Sequence, residues 1–165
     1  MVLAVACGGS KDVAEETRNT EPLETPTSPV TFDSQGVCDL VSESQVAEIL
    51  DSEVTNVEAP ALETPQCSYS FTAGDGSSTN VTTTVQRPAD LEGNIGQDGF
   101  DFAVSLLGGG EAVDGVGDQA ELITFDNDLI ELVVLVEGQV LTLTAFAPIT
   151  GDQLGELATA MAANL

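Results

Sequence analysis

The sequence predicts one α+β domain over residues 32–165, in which helices pack on one face of a largely antiparallel sheet in the order α-β-β-α-β-β-β-α. Three observations predict it. Segments starting at Ser42 and Thr150 carry helix-start signatures followed by apolar residues at helical spacing. Three apolar runs between residues 120 and 147 are separated only by short turn signals, as in successive hairpins. An earlier pair of alternating runs supplies two more strands.

Within residues 38–50, Ser42 and Gln45 fit a capping box and Val41 with Val46 fits the hydrophobic staple around it, so Val46, Ile49 and Leu50 form the buried stripe. Cys67-Ser-Tyr-Ser-Phe71 alternates polar and apolar, Val81-Thr-Thr-Thr-Val85 is a second strand, and residues 74–78 form the loop between them. A second helix runs from near Asp98 to Leu107 with Phe100, Val104 and Leu107 on one side, and Gly108 to Gly110 end it. Strands then span 120–125, 129–136 and 139–147, with turns at Asp126-Asn127-Asp128 and Glu137-Gly138. Ile130, Leu132, Val134 and Val136 share one face, which marks a central strand. Thr142 and Thr144 alternate with Leu141, Leu143 and Ala145, which gives the next strand one wetter face. In the closing helix Gln153 completes a capping box with Thr150, and Leu154, Leu157, Ala158, Met161 and Leu165 fall at helical spacing.

Composition narrows the function classes. Six Phe, one Tyr and no Trp leave the core to Val, Leu, Ile and Ala. Twenty-eight acidic residues face three basic ones, for a net charge of −25. With no basic cluster to displace counterions from phosphates, nucleic acid is excluded as a partner. The acidity has three readings: a solvated, soluble surface, a saline habitat that screens self-repulsion, or cation binding. Dispersal of the acids along the chain favours a general surface property over a site.

The opening residues, Met1-Val-Leu-Ala-Val-Ala-Cys7-Gly-Gly-Ser10, resemble the end of a bacterial lipoprotein signal peptide. That resemblance implies diacylglycerol on the Cys7 thiol, with Ala6 as the small residue the peptidase needs before the cut. Leu3 stands one place further from the cysteine than the family's usual leucine, and the six residues before Cys7 lack the basic start and full apolar stretch of a signal peptide, so either the start codon is expected upstream or the sequence is trimmed. Residues 1–7 are then a signal remnant. Residues 8–31, rich in Gly, Ser, Thr, Glu and Pro, with Pro22, Pro26 and Pro29, are expected to be a flexible acidic tether. Outside the cytosol the remaining cysteines, Cys38 and Cys67, read as a disulfide, and the alternative is two free buried thiols. A zinc site is a poor reading because the chain has no histidine.

Further features converge on a family. Cys38 precedes an Asp-Leu helix start, Cys67 opens a strand as Cys-x-Tyr, Gly115-Val-Gly-Asp-x-Ala120 follows, and an Ala/Leu-rich helix closes the chain. Residues 36–165 thereby resemble a family of actinobacterial lipoproteins sharing an uncharacterised extracellular domain, itself similar to the extracytoplasmic sensor of a mycobacterial serine/threonine kinase. The resemblance implies a secreted or membrane-anchored location and a helix-on-sheet fold. It carries no catalytic residues.

Absent chemistry points the same way. Without histidine there is no Ser-His or Cys-His pair, and with Cys7 lipidated and the other two cysteines bridged no free thiol remains. The glycines at 93, 96, 99 and 108–110 match no phosphate-binding loop and read as turn and helix-end residues. Carboxylates for glycoside hydrolysis abound, but the near absence of Tyr and Trp removes the usual stacking platforms for sugars. Asp114, Asp118, Asp126, Asn127 and Asp128 are the candidate hard-cation cluster. They fail the EF-hand template, because Ile130 stands where a ligand should be, so residues 126–128 read as a turn, and Gly115 and Gly117 read as backbone-geometry residues. The expectation is therefore a lipid-anchored protein on the extracytoplasmic face of the cell membrane, with a non-enzymatic binding or sensing domain and neither metal nor cofactor. Its partner would be an envelope protein or small ligand. The alternative is a structural or accessory subunit of an envelope complex.

Overall fold

The computed structural model describes residues 33–72, 76, 78–86 and 96–165. Cys7, the expected tether at 8–31, most of the 74–78 loop, Arg87 and Gly93 lie outside the described residues. The elements are α1 (Ser34–Cys38), α2 (Glu43–Ile49), β1 (Val54–Glu58), β2 (Gln66–Thr72), β3 (Ser78–Gln86), α3 (Gln97–Leu106), β4 (Glu111–Ala112), β5 (Gln119–Thr124), β6 (Leu129–Val136), β7 (Gln139–Phe146) and α4 (Gly151–Ala162).

All seven strands pair antiparallel in one sheet, in the order β1-β2-β3-β7-β6-β5-β4. The fold class and element order are those the sequence predicts, with three short elements added. α1 has five residues, too few to display a period, and rests on the Asp33 side chain accepting from Gly36 N. β1 is a bulged edge strand, its register shifting between Val54 and Asn56, and β4 is two residues held against β5.

Both capping boxes form. Ser42 caps α2 and Thr150 caps α4, each exchanging hydrogen bonds with the glutamine three residues on. Gln153 also reaches from α4 to the Ile49 carbonyl. The β6–β7 turn puts Glu137 at φ 49 and Gly138 at φ 76, the two left-handed residues of a tight hairpin whose twist matches the strands.

Strand alternation sorts the sheet into two faces. Tyr69, Phe71, Val81, Val85, Leu132, Val134, Leu141, Leu143 and Ala145 point to the first, where α1, α2 and α4 close the main core with Val37, Val46, Leu154, Leu157 and Met161. The expectation of helices on one face holds for these three. α3 is the addition on the opposite face: Phe100 and Val104 pack against Ile123, Val133, Leu135 and Val140 in a second, smaller cluster. Periodicity identifies the buried side of a helix but not which side of the sheet receives it.

A disulfide joins Cys38 at the end of α1 to Cys67 in β2, with 5.0 Å between their Cα atoms. It pins α1 to the sheet, and the Tyr69 hydroxyl donates to the Cys38 carbonyl across 3.3 Å at the same place. Free thiols at these positions are thereby excluded.

Candidate functional site

The acidic residues singled out in the sequence do not meet. Asp118 precedes β5, whereas Asp126, Asn127 and Asp128 follow it, and six strand residues separate the two ends by about 20 Å. Asp118 is instead structural. Its carboxylate accepts from Glu137 N at 2.8 Å and so holds the β6–β7 turn, while its own N–H donates to the Leu135 carbonyl at 2.7 Å. Gly117 is required beside it. At φ +58, a Cβ there would stand 2.5 Å from the Leu135 carbonyl oxygen. Gly115, at φ +81, lets Val116 turn inward, where it is buried against Gly155 of α4. Gly115-Val-Gly-Asp118 is thus a corner of the fold. The Asp128 carbonyl accepts from Ala147 N at 3.0 Å, which ties the β5–β6 turn to the end of β7. Among the described residues no group of three or more His, Cys, Asp or Glu could hold a metal ion.

Of the clefts that adjoin the helices on the first face, two bear on the residues singled out above or on the tyrosine. One, of about 500 Å³, lies beside the disulfide and is lined by Asp39, Gln45, Tyr69 and Asn164 among others. Burial, aided by the Asp39 charge, pushes the Tyr69 phenol up to about 12. That phenol stays protonated and serves as a donor, not as a nucleophile. The other, of about 360 Å³, runs between the 113–116 loop and the start of α4, where Asp114, Asp152 and Glu156 line it. All three of these acids are exposed.

The second face of the sheet is different. Beyond the patch that α3 covers, it presents a ladder of small polar side chains. One row runs straight across five strands as Glu58, Ser68, Thr82, Thr144 and Glu131, and the next carries Gln66, Thr84 and Thr142 before reaching Val133. Neighbouring positions in a row are about 4.8 Å apart. In a chain of net charge −25, strands β2, β3 and β7 contain no charged residue at all.

Glu131 sits where this polar face meets the α3 cluster. Directly opposite are Thr144 on β7 and Ile123 on β5, with Leu129 and Val133 two places either way on its own strand. Its carboxylate has no hydrogen-bond or ion-pair partner among the described residues, and burial raises its pKa above the ordinary value. Phe146, paired with Leu129, lies diagonally from it and is 44 % exposed. Sequence reasoning passed over Glu131. Its signal was a lone acid inside the apolar run Leu129–Val136, and its meaning depends on the strands beside it.

Set against known proteins, the chain matches no family model, no curated protein and no solved structure.

Proposed function

We propose that the chain is an extracytoplasmic lipoprotein, held to the membrane through lipid on Cys7, whose domain is a non-enzymatic binding or sensing module. The observation that carries this reading is the Cys38–Cys67 disulfide. Structural disulfides belong to oxidising compartments, and this one leaves Cys7, behind a short apolar run ending in Ala6, as the single cysteine not bridged within the domain. The binding role draws on the part of the second face formed by β2, β3 and β7, an uncharged platform of hydroxyl and amide groups in an otherwise acidic molecule. Hydrolysis is disfavoured because the chain has no histidine and its single tyrosine is a buried donor.

Expressed behind a complete export signal, the protein is expected to partition into the detergent phase, and Cys7→Ala to move it to the aqueous phase. Retention of the variant with the membrane would overturn the anchoring. A two-chain lipid anchor is strong enough for a clear separation, since each buried methylene contributes about 0.8 kcal/mol.

The alternative, an accessory subunit of an envelope complex, is favoured by one feature. Phe102 and Leu106 stand 56 % and 73 % exposed on α3, on the side turned away from Phe100 and Val104.

A further inference from the structure

We infer that the sheet face around Glu131 and Phe146 docks a partner polypeptide through a lysine or arginine side chain, with the cation on the Glu131 carboxylate and the aliphatic stem along Phe146. This rests on the reading of the domain as a binding module and names the chemistry of what it binds.

Glu131 differs from the other acids in its surroundings. The described residues carry twenty side-chain carboxylates and no Lys, Arg or His, so any approaching cation meets an attractive field that by itself selects no position. Glu131 is the one carboxylate among them that combines half-burial in a sheet, lack of a partner and an exposed aromatic ring beside it. Removing water strengthens charge pairing, so a cation gains more here than at a fully hydrated acid. The ring face of Phe146 adds cation–π attraction. Thr144, directly opposite Glu131, offers a hydroxyl oxygen that can accept a further N–H bond. Diagonal neighbours in a sheet lie roughly 7–8 Å apart, a span that a lysine or arginine stem covers. The other carboxylate near this point is Glu121 on β5, which already accepts from Gly110 N at 3.1 Å. No charged residue faces it from β7.

The uncharged strands alongside favour a polypeptide over a small amine, which would touch only Glu131 and its immediate neighbours. A chain laid across the strands can extend its contact along Thr82, Thr84 and Thr142, whose cross-strand neighbours on β2, β3 and β7 carry no acid.

The test uses the 165-residue chain and labelled hexalysine in 0.15 M sodium chloride, read by fluorescence anisotropy. Glu131→Gln is expected to weaken binding about tenfold, the scale of one charge-assisted hydrogen bond. Phe146→Ala is expected to weaken it about threefold. Glu48→Gln, which removes the same charge from the exposed side of α2, should change it by less than about twofold under this screening. Thr144→Lys places an ammonium beside Glu131 and should block the site in a chain whose thermal melt remains native. Equal effects of Glu131→Gln and Glu48→Gln would mean a diffuse field and would overturn the site. Binding of cellohexaose that Phe146→Ala removes, with hexalysine indifferent to Glu131, would overturn it in favour of a polyhydroxyl ligand. Detergent partitioning is independent of these outcomes, so failure of the docking site and failure of the anchoring are read separately.

Discussion

The two faces of the sheet use the same strands for opposite ends. On β7, Leu141, Leu143 and Ala145 are fully buried in the main core on the side of α4, while the alternate residues Thr142 and Thr144 are only half-buried and Phe146 is exposed. On β3 the same alternation puts Val81, Thr83 and Val85 inside and Thr82 and Thr84 outside. The first face therefore supplies most of the hydrophobic free energy of the fold, α3 adds a smaller cluster on the second, and the part of the second face that α3 leaves uncovered is free of that duty. A surface that contributes little to stability is one that can change to suit a partner.

The largest expected effect tests that division directly. Leu143→Ala should destabilise the domain by about 4 kcal/mol, within the range for a buried leucine, whereas its neighbour Thr144→Ala should change stability by less than about 0.5 kcal/mol. Urea melts of the two variants compare the faces one residue apart. Similar losses would break the comparison.

Next comes the clamp beneath the first face. Cys38 and Cys67 are 29 residues apart, and the chain-entropy model gives about 3.6 kcal/mol for closing that loop. Cys67→Ser with Cys38→Ser should lower stability by about that amount, measured against the oxidised protein. A much smaller loss would show that packing of Val37 and Val41 alone holds α1 and the start of α2.

On the second face, Phe100→Ala should cost about 3 kcal/mol, at the low end for a buried phenylalanine. The α3 cluster is small and separate from the main core, so faster hydrogen exchange should centre on α3 and spare β2 and β3. Uniform acceleration would mean that the two cores melt as one unit.

The smallest effect concerns Glu131. Its folded pKa is raised by burial, so the native state holds its proton more tightly than the unfolded chain does. Stability from this group is therefore present below the unfolded pKa and is lost as pH rises through the folded pKa. Glu131→Gln should stabilise the domain at neutral pH by only a few tenths of a kcal/mol, because the carboxyl is half exposed and solvent screens it. The gain should vanish in acid, where the wild-type carboxyl is protonated in both states. Melts at both pH values check the sign.

Local signals were legible in the sequence because their physics is local. Ser42 with Gln45 and Thr150 with Gln153 are three residues apart and need nothing else to cap a helix, and Glu137-Gly138 needs only its own backbone to turn. β1 was not legible, since its bulge breaks the alternation that would mark a strand, and β4 exists only because β5 is beside it. The candidate site was the least legible part. Glu131 acquires its surroundings from Thr144 on one side and Ile123 on the other, and both come from pairing register. Asp114, Asp118, Asp126, Asn127 and Asp128 drew attention because they are close in sequence. β5 carries them apart.

The bulged β1 and two-residue β4 have a consequence for crowding. A seven-stranded sheet with two long, straight borders would be a monomer ready to polymerise, each copy extending the next. Here one border is five residues long, kinked between Val54 and Asn56, and closes with Glu58 shortly before Pro60, which has no N–H to offer. The other offers two residues, the first of them Glu111. Neither provides a template long enough to seed a growing ribbon, and both place negative charge where a second copy would have to align. Copies concentrated on a surface should therefore stay separate instead of assembling into fibres.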